Sequence, residues 1–138
     1  MNTSDIILEI KDLCVEFQTA EGTVRAVNRL DYTLSKGEKL GIVGESGSGK
    51  SVSSLGVMQL IPNPPGKITQ GSILYKGKDL VNCSEKEMQK IRGNEISMIF
   101  QEPMTSLNPI IQCGKQIAET LRLHHGLNKK EAWRRPWR

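Results

Sequence analysis

The chain has 138 residues, 25% of them charged and 37% hydrophobic, with a formal net charge of +4. That length carries one modest domain with a core, and that balance excludes a disordered tail or a multi-span membrane protein. No apolar run approaches the ~20 residues of a membrane helix. Met1-Asn2-Thr3-Ser4-Asp5 also lacks the basic start and apolar stretch of a secretory leader. The expectation is a cytosolic protein, free to dock on a membrane partner.

In chain order, Ile6-Ile7-Leu8-Glu9-Ile10 reads as a first strand. Leu13, Val15 and Phe17 then alternate with Cys14, Glu16 and Gln18, the period of a half-buried strand. Thr19-Ala20-Glu21-Gly22 is turn chemistry, and Thr23 to Leu30 resumes an extended pattern, so a hairpin or meander is expected. Tyr32 to Leu34 adds a short strand and Ser35-Lys36-Gly37-Glu38 a turn. Lys39 to Val43 reads as a buried strand. It delivers Gly44-Glu45-Ser46-Gly47-Ser48-Gly49-Lys50-Ser51, which fits G-x-x-x-x-G-K-[ST] at every fixed position.

That stretch points to phosphate chemistry. Its glycines let backbone N–H groups converge on phosphate oxygens, and the following helix aims its positive end at the same anion. Lys50 is expected to reach the β- and γ-phosphates and the Ser51 hydroxyl to hold Mg²⁺. The competing reading is a flexible serine–glycine loop.

The helix is expected from Lys50 to Ile61, stopped by Pro62-Asn63-Pro64-Pro65-Gly66. Gly71 to Lys76 is a strand, and Gly77-Lys78-Asp79 a turn. Ser84-Glu85-Lys86-Glu87 is a capping box opening a short helix to Ile91, closed by Arg92-Gly93-Asn94. Glu95 to Phe100 reads as a second buried strand. Gln101 to Pro109 is a loop. Ile111 to His124 has helical spacing, with Gly126 as its C-terminal cap, and Asn128-Lys129-Lys130-Glu131 repeats the capping-box pattern.

Cys14, Cys83 and Cys113 are odd in number and share no metal-like spacing, so small, buried or half-buried reduced thiols are expected. Lys129, Lys130, Arg134, Arg135 and Arg138 concentrate positive charge at the end. Beyond Trp133 and Trp137 no aromatic residue interleaves with them, and no nucleic-acid partner is expected. His124 and His125 read as surface or helix-terminal residues rather than a metal pair.

The chain resembles the ATP-binding subunit of an ABC transporter of the oligopeptide/dipeptide importer branch. The residues that carry this are Ala26-Val27-Asn28, Gly37-Glu38, Gly41 through Ser51, and Gly71-Ser72-Ile73 with Gly77 and Asp79-Leu80. Most branch-specific is Met98-Ile99-Phe100-Gln101-Glu102-Pro103-Met104-Thr105-Ser106-Leu107-Asn108-Pro109. The resemblance spans Leu8 to Arg135. It implies an α/β P-loop NTPase fold of the ABC nucleotide-binding type, with an N-terminal antiparallel β segment and an incomplete parallel core sheet with helices. Residues 1–138 would be the N-terminal portion of one such domain.

The resemblance makes Gly44 to Ser51 the Walker A loop for ATP and Mg²⁺. Gln101 becomes a Q-loop glutamine able to approach Mg²⁺ and the attacking water, and Glu102 to Pro109 the segment that touches the membrane partner. Phe17 falls where the family places an adenine-stacking aromatic, with a core side chain as the open alternative; for Gln101 the competing reading is a polar residue that simply ends a strand. The implied partners are integral membrane permease subunits, a second ATP-binding subunit and a periplasmic or extracellular substrate-binding protein. The implied place is the cytoplasmic side of the membrane, as a peripheral subunit.

The family's signature sequence, Walker B acidic pair and switch histidine are expected to lie beyond Arg138. The Trp133-Arg134-Arg135-Pro136-Trp137-Arg138 ending reads as a frameshift, a premature stop or a partial gene model. Weak nucleotide binding, near-background hydrolysis and poor solubility are therefore expected of the chain alone. The alternatives are a small nucleotide kinase, a non-transport ABC ATPase and an inactive fragment.

Overall fold

Alternating apolar residues with turn chemistry between them favour an antiparallel hairpin, and the computed structural model is built on one. It describes residues 5–102 and 107–134. β1 (Ile6–Thr19) pairs antiparallel with β2 (Gly22–Ser35) across the two-residue turn Ala20–Glu21. β3 (Gly66–Tyr75) joins the other edge of β1, and the two-residue β4 (Lys78–Asp79) folds back on β3, giving the order β2-β1-β3-β4. The separate short strands read from the sequence are thus segments of two long ones.

The alternation in β1 is broken at its centre. Leu13, Cys14 and Val15 are all buried, at 0%, 4% and 0% exposure. Register shifts fall between Ile10, Leu13 and Val15, and Asp12 and the facing Arg29 both have positive φ. These bulges re-aim the strand, so Cys14 turns inward and its sulfur accepts a hydrogen bond from Arg29 N at 3.3 Å.

After β2, Glu38 N donates to Ser35 O at 3.1 Å and Ser35 N to the Glu38 carboxylate at 2.7 Å, closing the expected turn. The segment Lys39 to Val43 then differs from expectation. It forms no strand, and Leu40, Ile42 and Val43 are 44%, 43% and 95% exposed. Glu95 to Phe100 likewise forms only a single bridge, Arg92 with Ile96, and Ile99 is 93% exposed. A strand of a parallel sheet exists only through hydrogen bonds to neighbours remote in sequence. Among the described residues neither segment has such a neighbour, so no parallel core sheet forms among them.

α1 (Lys50–Val57) ends four residues earlier than expected, with Met58 as its C-cap and Gln59 at φ 49. It lacks a side-chain N-cap, and so short a helix holds only by packing. Its buried face is Ser53, Gly56 and Val57. A β-carbon on Gly56 would touch Leu13 and Ile73 at 3.8 Å, so α1 lies directly on β1 and β3. Ile10, Leu13, Val15, Ile73, Leu80 and Met88 are the buried centre of this first unit, which runs to Met88.

At α2 (Glu85–Ile91) the Glu87 half of the capping box forms: Ser84 N and Oγ both donate to the Glu87 carboxylate, at 2.9 and 2.7 Å, while Glu87 N donates to the Ser84 carbonyl oxygen at 3.0 Å. Lys78 Nζ adds an ion pair to Glu87 at 2.7 Å. These bonds, Lys78 foremost and Ser84 next, hold the Glu87 carboxyl far below its ordinary value, at about 2. The same hydrogen bond raises the Lys78 ammonium.

The second unit begins at Gln89 and contains α3 (Cys113–His125) and α4 (Lys129–Arg134). Gly126 caps α3 in the left-handed conformation at φ 63. Asn128 Oδ1 accepts from Lys130 N and Glu131 N, and Glu131 reaches back to Asn128 N, as the sequence pattern requires. The buried face of α3 is Gly114 and Ala118, while Ile117 is 44% exposed. Pro103 to Ser106, within the segment assigned to a membrane partner, lie outside the described residues, as do Arg135 to Arg138.

Candidate phosphate-binding site

The loop from Gly44 to Gly49 enters α1 at Lys50. Three close approaches shape it. Gly49 is the N-cap residue, with φ 88 and ψ 1. A β-carbon there would overlap the Ala26 carbonyl oxygen of β2 and stand 3.2 Å from Val27. Glycine is required twice over, by the left-handed backbone and by the strand pressed against it. Gly44 in turn faces Ser48, whose Oγ would lie 2.6 Å from any β-carbon at position 44.

The third approach is Lys50 itself. Its ammonium donates to the carbonyl oxygens of Gly44 and Glu45, both at 2.6 Å, and to Ser48 Oγ at 3.2 Å. An ammonium has three donors, and all three are engaged. The loop is therefore wrapped around the positive group that the motif assigns to phosphate.

The first turn of α1 is fixed from below. Ser53 is 1% exposed, its N–H donating to Gly49 O at 2.8 Å and its hydroxyl to Lys50 O at 2.7 Å. No side chain caps the amides at this end, so the N–H groups of the first turn are left for an anion. Ser51 is exposed at the same turn. Among the described residues no cluster of three or more His, Cys, Asp or Glu could hold a metal. A single hydroxyl oxygen at Ser51 suits Mg²⁺, which keeps several waters and takes further ligands from phosphates.

The other candidates separate from this loop in character. Phe17 is half-buried near the end of β1, opposite Val24 on β2 and Gly66 on β3. Its ring covers Gly66: a β-carbon there would meet Phe17 Cε1 at 2.6 Å. Gln101 belongs to the second unit, exposed and outside any helix or strand. His124 and His125 occupy the last turn of α3, as the sequence suggests. His124 is half-buried, Nε2 lying 3.1 Å from where a β-carbon on Gly93 would stand.

Sequence reasoning passed over Ser53 and Gly56, which support the loop, and gave Ala26 no part in it. The signal was available. Small residues at positions 49, 53 and 56 fall on one face of the helix after the loop, the spacing that permits close approach to a sheet.

Residues 27–136 match the ABC transporter family. Over 129 residues the chain is 57% identical to the oligopeptide transport ATP-binding protein OppD of Bacillus subtilis, covering 94% of this chain and 36% of that one. It is 50% identical to AppD of the same organism, another oligopeptide transport ATP-binding protein, covering 94% and 39%. The dipeptide transport ATP-binding protein DppD of B. subtilis is 51% identical over 126 residues, covering 91% and 38%. The chain thus spans little more than a third of the length of these curated relatives. Among solved structures, the dimeric bacterial ABC transporter cassette MJ0796 matches with a TM-score of 0.77 at 22% identity, covering 94% of this chain and 54% of that one. A second structure of that cassette, bound to ADP and Pi, matches with a TM-score of 0.75 at 21% identity. At that identity the likeness speaks for the fold.

Proposed function

The chain belongs to the ABC transporter family, and from that premise we propose that it is the N-terminal portion of an ATP-binding domain energising import of di- or oligopeptides. The observation that carries the reading is the Gly44–Ser51 loop closed around Lys50, with carbonyl partners at 2.6 Å. In this reading Lys50 transfers its hydrogen bonds from loop carbonyls to the β- and γ-phosphates of ATP. The glycine-loop amides and the first turn of α1 neutralise the remaining phosphate charge. Ser51 holds Mg²⁺, which supplies charge neutralisation between the phosphates when bound. Phe17 stacks on adenine, and Gln101 orients water near the γ-phosphate.

Phosphoryl transfer needs charge stabilisation on several sides of the γ-phosphate, and this loop supplies one of them. The opposite side is assigned to a second ATP-binding subunit. Relatives described as oligopeptide and dipeptide transport ATP-binding proteins support a peptide substrate. The same reading takes permease subunits and a substrate-binding protein as partners, and a peripheral place at the cytoplasmic membrane face. No described helix is long and apolar enough to cross a membrane.

The test is equilibrium binding of a fluorescent ATP analogue to the full chain, with and without Mg²⁺. Saturable binding displaced by ATP and lost in Lys50→Ala supports the assignment. Affinity that survives Lys50→Ala removes the loop from the site.

A further inference from the structure

The first half of β3 leaves one edge of the sheet open. β4 covers only Leu74 and Tyr75, and Leu80 N donates to Ile73 O at 2.7 Å just before them. From Gly66 to Ser72 no described strand pairs with the outer edge of β3. The register determines which groups face outward there. Gln18 N donates to Pro65 O at 2.9 Å, which makes Glu16 and Lys67 the next hydrogen-bonded pair of β1 and β3. Ile68, opposite Val15, therefore points its N–H and C=O away from β1. Among the described residues no partner meets either group.

A groove of about 410 Å³ lies along this edge. Ile61 and Val81 form its far wall, and Gln59 braces that wall, its side-chain amide donating to Leu80 O and to Val81 O, the latter at 3.2 Å. Ile68 is half-buried on the face it shares with Val15 and Phe17, whereas Lys67 is exposed on the opposite face, that of Glu16. Glu16 is taken by Arg25 at 2.8 Å, and among the described residues Lys67 has no ion pair. An open strand edge takes another extended backbone, and a strand laid there turns successive side chains to opposite faces. One side chain would meet Ile61, Ile68 and Val81, and the next would meet the Lys67 ammonium. We propose that the β3 edge at Ile68 binds an extended peptide segment of alternating apolar and acidic residues. The peptide residue opposite Ile68 exchanges both backbone hydrogen bonds with it and fills the groove with its apolar side chain, while the neighbouring carboxylate pairs with Lys67. Nothing in the phosphate-loop reading assigns a role to this edge, and the test needs no nucleotide.

The full chain is titrated into a fluorescein-labelled octapeptide alternating valine and glutamate, and anisotropy is read. Saturable binding is expected. The valine amides face β3 in this geometry, so N-methylation of the valines abolishes binding and N-methylation of the glutamates retains it. Lys67→Glu weakens binding at least about tenfold and favours a valine–lysine peptide instead, while the remote reversal Lys36→Glu leaves it unchanged. If circular dichroism shows lost structure in Lys67→Glu, Lys67→Gln carries the same reading through a smaller loss. Absence of saturable binding overturns the proposal, as does equal loss with both methylated peptides. Binding unchanged by Lys67→Glu overturns it by placing the peptide on another edge. Equal binding of an oligoglutamate, or equal weakening by Lys36→Glu, overturns it in favour of net charge alone.

Discussion

The carbonyl oxygen of Ala26 occupies the place that a β-carbon on residue 49 would need. Strand β2 therefore presses on the phosphate loop where that loop carries a glycine. Gly49→Ala adds a methyl against that oxygen and strains a backbone at φ 88. The expected cost is about 2 kcal/mol or more in chemical denaturation, with loss of nucleotide binding. Gly37→Ala is the control. It has φ 78 and nothing within 4 Å of the new carbon, so only the conformational cost of about 1 kcal/mol is expected, with affinity unchanged. Equal effects of the two variants would mean that β2 does not brace the loop.

Phe17 can be tested for its two roles separately. Phe17→Leu keeps an apolar side chain over Gly66 and is expected to cost no more than about 1.5 kcal/mol of stability. If the ring stacks on adenine, the same variant weakens nucleotide binding up to about tenfold. Gly66→Ala, whose new carbon would stand 2.6 Å from the ring, displaces Phe17 and weakens binding in parallel. Unchanged affinity in both variants makes Phe17 a packing residue only.

The Glu87 site gives the fold an acid-sensitive contact. Its folded-state value of about 2 lies below the ordinary 4.5, so its stabilising contribution is full above 4.5. That contribution declines as pH falls and is gone once pH has passed through about 2. Lys78 shifts the opposite way, its contribution being full below 10.5 and lost as pH rises through its higher folded value. Melting temperatures of the wild type and Glu87→Gln are expected to differ at neutral pH and to converge in strong acid. A gap that persists there would place the effect of the substitution elsewhere than in the charge.

Val43 is expected to tolerate charge. At 95% exposure, Val43→Lys changes unfolding free energy by no more than about 0.5 kcal/mol. Val15→Lys, at 0% exposure in the middle of β1, is expected to cost about 4 kcal/mol or more. Urea denaturation of both distinguishes the observed exposed segment from the buried strand that the residues suggest. A large loss at Val43 would restore that strand.

These contrasts show where sequence reasoning carries and where it stops. Both capping boxes and the phosphate loop were legible because their partners lie within eight residues, and local geometry dictates the residue types. The hairpin was legible for the same reason. That Cys14 is buried together with its neighbours Leu13 and Val15 was not legible from the alternation, because a period of two assumes an unbulged strand. Lys39–Val43 and Glu95–Phe100 were misread differently. Apolar composition reports a preference for burial, but a parallel strand needs a neighbour, which composition does not identify. Gly56 escaped notice because it matters through what it leaves room for.

The three hydrogen bonds of Lys50 bear on what the proposed nucleotide capture would be. If Lys50 receives the phosphate as proposed, its ammonium meets the ligand with no donor to spare, its partners being Gly44 O, Glu45 O and Ser48 Oγ. Capture is then an exchange of one set of oxygens for another, and the peptide oxygens compete with the ligand. The affinity measured reports the difference between two well-bonded states. A substitution that weakens the inner set, such as Ser48→Ala, would ease the displacement, while Lys50→Ala removes both sets together.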